Sequence, residues 1–290
     1  MIPRIMGILN VTPDSFSDGG RHGTADGAIA AGLRMFEAGA AIVDVGGEST
    51  RPGAPEVSLE EELQRTIPVV EGLARAGVPV SIDTMKAGVM RAALAAGAGM
   101  LNDVSALQAE AESLAVAAGS KAQVVLMHMP GNPRTMQGLA AYDDVVGEVR
   151  AALAARIAVC EAAGLARGRL IADPGIGFGK GVGHNLALLR GLESFHALGV
   201  PLLLGASRKS VIPAVAGPVA VTDRLPGSLA LALRGAEAGV AWLRVHDVAR
   251  SVDAWHDAVH AACTCALSLW VDAPGVAAGG GGGSGGSSSP

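Results

Sequence analysis

Short apolar runs in this 290-residue chain end, one after another, on side chains able to bind or polarise a ligand. In chain order the run ends read Asn10; Asp44 with Glu48, Ser49, Thr50 and Arg51; Asp83 with Thr84; Asn102 with Asp103; His128; Asp173; Ser207, Arg208 and Lys209; and Arg244 with His246. One polar run end means little, because N-cap residues routinely open the next helix. Eight together, with Lys209, Arg244 and His246 at the last two, point to a site for an anionic ligand rich in hydrogen-bonding groups. On a strand, Arg244 and His246 share a face while Val245 and Asp247 take the other. A guanidinium beside an imidazole, with Lys209 close by, can cradle a phosphate or diphosphate. Asp83 and Asp173 suit the parallel N–H pair of an amino-pyrimidinone, and Asn102 can offer the same ring a donor and an acceptor. A salt bridge to a neighbouring Lys or Arg explains either aspartate equally well. As a strand-end cation, Arg244 is expected to face solvent and to contribute little to folding.

The glycine-rich stretch DPGIGFGKGVGHN is not a phosphate-binding P-loop. Pro174 stands where the first glycine belongs and Gly181 where the Ser or Thr belongs, and the G-x-G-x-x-G spacing fails as well. Its glycines do permit a tight loop approaching a flat ligand, with Phe178 as an aromatic face.

These groups need a scaffold, and the runs supply one. IMGILNV, AAIVDVGG, VPVSIDT, MLNDVS, QVVLMHM, LIADPG, PLLLGAS and VAWLRVHD are separated by segments whose apolar residues recur at threes and fours, as amphipathic helices require. Ser58 with Glu61 and Glu62 reads as a helix start, and Gly39, Gly77, Gly97, Gly164 and Gly199 stand where helix C-caps belong. Eight strand–helix units predict an α/β protein of the (β/α)8 barrel type, rather than an open doubly wound sheet. Residues 1–274 form the expected single barrel domain, and 275–290, rich in Gly and Ser, a flexible tail or linker.

Composition narrows the classes. Half the residues are hydrophobic, only 3% are aromatic and 17% are charged, against about 25% charged in ordinary globular domains. Ala and Gly raise the mean hydropathy, and no apolar run is long enough to span a bilayer. With a net charge of −5 and no basic stripe, nucleic acid is excluded as the expected partner. Cys160, Cys263 and Cys265 have neither disulfide parity nor CxxC spacing, and the expected compartment is the cytoplasm.

Taken in order, GILNVTPDSFSDGG, VDVGGESTRPGA, SIDT, NDVS, LMHM, DPGIGFGK, GASRKS, DRLPGSLA and RVHDV resemble the dihydropteroate synthase family of folate biosynthesis over roughly residues 5–260. The resemblance implies a Mg²⁺-dependent transferase that joins 6-hydroxymethyl-7,8-dihydropterin diphosphate to 4-aminobenzoate with release of pyrophosphate. It implies that Asn10 helps hold Mg²⁺ and that Thr50, Arg244 and His246 bind the diphosphate. It places Asp83, Asn102, Asp173 and Lys209 at the pterin ring, and Arg51, Pro52, Phe178, Ser207 and Arg208 at the aminobenzoate. Asp83, Lys209, Arg244 and His246 are the residues expected to act on the reaction itself. The resemblance further implies competition by sulfonamides and a homodimer formed through helices late in the barrel. Pro213 departs from the family's usual glycine. Pterin-dependent methyltransferase barrels share the carboxylates and the asparagine but would not need STRPG, SRKS and RVHD. A catalytically silent pterin-binding paralogue would be expected to lack at least one of Asn10, Thr50, Asp83, Lys209, Arg244 or His246; all are present.

Overall fold

The computed structural model describes residues 2–11, 21–50 and 54–258. Its strands are β1 (Arg4–Asn10), β2 (Ile42–Gly46), β3 (Val80–Asp83), β4 (Met100–Asp103), β5 (Gln123–Met127), β6 (Leu170–Asp173), β7 (Leu203–Leu204) and β8 (Trp242–Val245). Between and after them lie α1 (Arg21–Glu37), α2 (Leu59–Arg75), α3 (Ala87–Ala95), α4 (Ser113–Ala118), α5 (Val145–Ala162), α6 (Val182–Arg190), α7 (Val211–Ala216) and α8 (Leu225–Glu237), and a further helix covers 248–258. The strand order is β6-β5-β4-β3-β2-β1-β8-β7 with every pairing parallel, and a parallel bridge from Ala172 to Leu202 joins the two ends. The eight repeats therefore fold as a (β/α)8 barrel.

Strand alternation sorts the side chains into two cores. Outward residues such as Val43, Ile82, Leu101, Val124, Leu170 and Leu243 join the layer beneath the helices, where Val69, Val70 and Leu73 of α2 and Leu153 and Ile157 of α5 cover them. Inward residues Met6, Ile42, Met100, Val125, Ile171, Leu203 and Trp242 form a separate plug inside the barrel. The plug closes one end, so polar groups further along the same faces are held at the other.

Local signals are honoured where their chemistry is complete. Ser58 caps α2 by accepting from Glu61 N–H, and the five glycines at predicted C-caps all have positive φ. The run at 201–207 gives the strand only Leu203–Leu204, with Leu202 pairing to Ala172 as a separate bridge. Pro213 lies in the first turn of α7, where its missing N–H costs no helical bond. Arg51, Pro52, Cys263, Cys265 and the tail from 275 lie outside the described residues.

Met100 is fully buried in the plug. Met100→Ala is expected to lower unfolding free energy by about 2–5 kcal/mol through lost burial and a residual cavity, read as a lowered urea midpoint with an unchanged slope.

Candidate active site

Two residues beyond five of the seven plug positions, the inner face changes character. Ile42 is followed by Asp44, Met100 by Asn102, Ile171 by Asp173, and Trp242 by Arg244 and then His246. Leu203 is followed by Gly205, and Asp44 by Gly46. A Cβ on Gly205 would lie 3.6 Å from Asp173 Oδ2 and 3.9 Å from Arg244 Cβ, while one on Gly46 would lie 3.5 Å from Asp83 Cβ and 3.7 Å from Asn10 Oδ1. The two glycines thus leave room among polar groups where side chains would fill the barrel mouth.

The resulting cleft has a volume of about 460 Å³ and is lined by Asn10, Thr50, Asp83, Phe178, Ser207, Arg208, Lys209, Arg244 and His246, among others. Asn102 and Asp173 are buried in the floor instead. Arg244 joins the floor to the wall: its Nε donates to Asp44 Oδ2 and its Nη2 to Asp83 Oδ2, both at 2.6 Å. Asn102 Nδ2 donates one hydrogen to the same Asp44 oxygen at 2.9 Å, which orients the amide and leaves its side-chain oxygen pointing the other way. The expectation of a solvent-facing Arg244 is corrected here, since its side chain is 18% exposed and paired with carboxylates at 0% and 13%. Periodicity fixed its face but not the partners across the barrel.

With two carboxylates sharing one guanidinium, burial lifts the Asp83 carboxyl to about 7, opposed by Arg244 and reinforced by Asp44. Burial also raises Asp173, against the Gly175 N–H it accepts at 2.7 Å and the charges of Lys209 and Lys180. His246 is held neutral: burial, then Arg208 and Arg244, lower it to about 3. Ser207 Oγ accepts the His246 backbone N–H at 3.2 Å and meets Nδ1 at 3.0 Å. The Ser207 hydroxyl, which already accepts the backbone N–H, has its own hydrogen to give Nδ1, and in that tautomer the ring proton is on Nε2 and His246 is an uncharged donor.

Arg208 adopts φ +58° and gives its guanidinium to Asp247, with contacts of 2.6 and 3.1 Å. Lys209 Nζ lies 3.9 Å from the centroid of the Phe178 ring, bringing together a cation and the aromatic face. The 174–181 loop is as tight as its glycines allow. Gly175 has φ +70°, and a Cβ there would lie 2.1 Å from the His128 carbonyl oxygen.

Three residues in this arrangement have no role in the sequence reading. Asp44 aligns Arg244 and Asn102. Arg224, also on the cleft wall, donates to the Arg208 carbonyl at 3.0 Å. Lys180 donates to the His128 and Phe178 carbonyls at 3.1 and 2.9 Å and meets His128 Nδ1 at 3.1 Å. Burial lowers Lys180 to about 7 and, together with the Lys180 charge, His128 to about 4. A run-end polar residue signalled Asp44, but nothing local identified its partners.

Among the described residues no group of three or more His, Cys, Asp or Glu is arranged to hold a metal. Asn10 offers a neutral amide oxygen on the cleft wall. A hard oxygen donor suits Mg²⁺, which typically keeps waters and takes substrate phosphates as ligands rather than occupying an all-protein cage.

Residues 6–246 match a family described as pterin binding enzyme. The dihydropteroate synthase of Escherichia coli K12 is 52% identical over 253 residues, covering 87% of this chain and 89% of that protein. The chain belongs to the dihydropteroate synthase family. Solved dihydropteroate synthases superpose closely: that of Xanthomonas albilineans with 4-aminobenzoic acid has 51% identity and a TM-score of 0.84, covering 91% of this chain and 93% of that one. The same organism's enzyme in complex with 7,8-dihydropteroate gives 48% and 0.81, covering 91% and 94%. A Yersinia pestis dihydropteroate synthase with a sulfonamide drug complex gives 46% and 0.84, covering 91% and 95%. In dihydropteroate synthase terms, the polar floor lies at the strand ends where such barrels carry their chemistry.

Arg244→Ala leaves Asp44 and Asp83 without their cation, and is expected to cost about 3–5 kcal/mol of stability. Urea titrations should show the loss easing as pH falls and Asp83 protonates. His246 has a folded value below its unfolded 6.5, so its stabilising contribution is present above pH 6.5 and is lost as pH falls towards about 3. Calorimetric melting of wild type and His246→Asn at pH 7 and pH 4.5 should show the smaller acid-induced loss in the variant.

Proposed function

We propose that the chain condenses 6-hydroxymethyl-7,8-dihydropterin diphosphate with 4-aminobenzoate, yielding 7,8-dihydropteroate and pyrophosphate in folate biosynthesis. The observation that carries this reading is the polar floor of the barrel, with its carboxylates and amide oxygen, opening into a cleft rimmed by Arg244, His246 and Lys209. Such a surface suits a flat ring bearing N–H donors with an anion at one end. Relatives solved with 4-aminobenzoic acid and with 7,8-dihydropteroate support the same substrates.

In this reading Asp83, Asn102, Asp173 and Lys209 hold the dihydropterin. Ionised carboxylates accept ring N–H groups, and the Asn102 side-chain oxygen accepts another while one N–H of its amide is given to Asp44. Arg244 commits Nε and one Nη2 hydrogen to Asp44 and Asp83 and keeps further N–H donors for the diphosphate. Thr50 and the His246 Nε2–H complete that end. Asn10 would hold Mg²⁺, which supplies charge neutralisation on the diphosphate when bound.

The bond from the pterin methylene carbon to the diphosphate oxygen breaks with its electron pair leaving on oxygen. Arg244 and His246 stabilise that departing charge, while Asp83 and Asp173 favour the cation delocalised into the ring. The 4-aminobenzoate nitrogen then donates its lone pair to the methylene carbon and loses a proton. Among the described residues of the cleft no side chain is placed as a covalent nucleophile, so a dissociative order suits the site. Ser207, Arg208 and Phe178 on the cleft wall would receive the aminobenzoate. Arg51 and Pro52, assigned to it by resemblance, lie outside the described residues.

We also propose a cytoplasmic homodimer formed through helices late in the barrel, near the exposed Val215 and Val221. Sulfonamides should compete with 4-aminobenzoate.

Purified protein given both substrates and Mg²⁺ should release pyrophosphate; folded protein that releases none defeats the reading. For the dissociative order, pyrophosphate release should be detectable without 4-aminobenzoate, whereas an isotope effect requiring concerted attack would overturn it. Lys209→Ala should lower kcat/KM about 10²–10³-fold.

A further inference from the structure

Behind the cleft, the segment that carries Thr50 is held by a buried ion cluster formed by three separate elements. Lys86, at the start of α3, donates to Glu48 Oε2 at 2.5 Å and to Glu62 Oε2 at 2.6 Å. The Glu48, Lys86 and Glu62 side chains are only 13%, 14% and 0% exposed. Burial works against the Lys86 charge, but the bonds and charges of the two carboxylates outweigh it and raise its pKa. Glu62 Oε1 is buried with no partner, so Lys86 is what compensates that carboxylate among the described residues.

The other Glu48 oxygen, Oε1, accepts the N–H of Val57 at 3.2 Å, nine residues along the chain. The Glu48 carboxylate therefore joins the far end of its own loop to Lys86. Arg65 of α2 donates to the Gly47 carbonyl at 2.8 Å. Gly47 can approach α2 this closely because it lacks a Cβ, which would lie 2.6 Å from Thr66 Cγ2. Lys86 is also three residues beyond Asp83, and its backbone N–H donates to Thr84 Oγ1 at 3.1 Å. The cluster thus ties the Thr50 segment to the strand end that presents Asp83.

We propose that Lys86 is a positioning residue of the transfer reaction, holding Glu48 so that Thr50 meets the diphosphate of the substrate. This rests on the substrate reading above. Its effect should be confined to the diphosphate end, because the Lys86 side chain bonds only Glu48 and Glu62 and not Asp83, Asn102, Asp173 or Lys209, while its backbone bond to Thr84 survives a side-chain substitution.

The test compares wild type, Lys86→Met, Lys86→Arg and the double variant Lys86→Met/Glu62→Leu, the last of which removes the stranded carboxylate along with its cation. Wild-type turnover with both substrates checks the substrate reading independently. If Lys86 positions Thr50, Lys86→Met raises the KM for the pterin diphosphate about tenfold or more, while affinity for 6-hydroxymethylpterin, which lacks the diphosphate, stays within twofold. Lys86→Arg recovers part of the KM, and the double variant recovers melting temperature but not KM. Three results would overturn the proposal: an unchanged KM in Lys86→Met, an equal loss of affinity for 6-hydroxymethylpterin, or a KM restored together with stability in the double variant.

Discussion

The arrangement of the cleft depends on one buried interaction, the sharing of the Arg244 guanidinium by Asp44 and Asp83. Charges taken out of water are costly, and they are tolerated only when paired at close range with their remaining hydrogen-bonding groups engaged. Here two carboxylates meet one guanidinium, so the floor keeps an excess of negative charge. Burial, opposed by Arg244 and reinforced by that excess, lifts Asp83 to about 7, and the excess gives a ligand with N–H donors something to neutralise. Asp44 also fixes the amide of Asn102, and with it the sense in which the floor offers donors and acceptors. A ring with complementary edges recovers energy that the floor, by itself, leaves unmet.

The rim works by a different rule. Its cations are partly satisfied before any anion arrives, with Arg208 held by Asp247 and Lys209 over Phe178. His246 is uncharged because burial and two neighbouring guanidinium groups disfavour a third positive charge. A neutral donor can still align a phosphoryl oxygen, and the imidazole adds no cationic repulsion to Arg244. Directional donors on a rigid strand and a fixed positive charge thus divide between them the work of holding an anion. The apolar plug underneath makes this rigidity available, since a closely packed interior leaves Arg244 and Asp44 little room to rearrange.

Much of the scaffold is legible in the sequence because its causes are local. Each strand carries its own apolar run, and the helix ends carry glycines able to adopt positive φ, as at Gly77 and Gly164. Polar residues at run ends likewise reveal that a site exists and which side of the barrel holds it. Their pairings are another matter. Arg244 and Asp44 are 200 residues apart in sequence, and Lys86 and Glu48 are 38 apart. No periodicity connects them, because such contacts are created by barrel closure rather than by either strand alone. For the same reason the solvent-facing character expected of Arg244 failed: strand alternation specifies a face, whereas burial depends on what the other strands bring to that face.

Lys86 and Lys180 show the same constraint on the loops. Each is a lysine within a loop segment, three or seven residues beyond a site aspartate, and each turns inward to satisfy buried acceptors rather than outward to water. Lys180 meets two backbone carbonyls that no helix or sheet pairs, which lets the glycine-rich turn at 174–181 hold a compact shape. Lys86 meets two carboxylates from different elements. A barrel fixes its strands to one another through the ladder, but its loops have no ladder. Buried cations with several donors provide the missing cross-links, so the precision of the cleft wall rests on charges that need never touch a substrate.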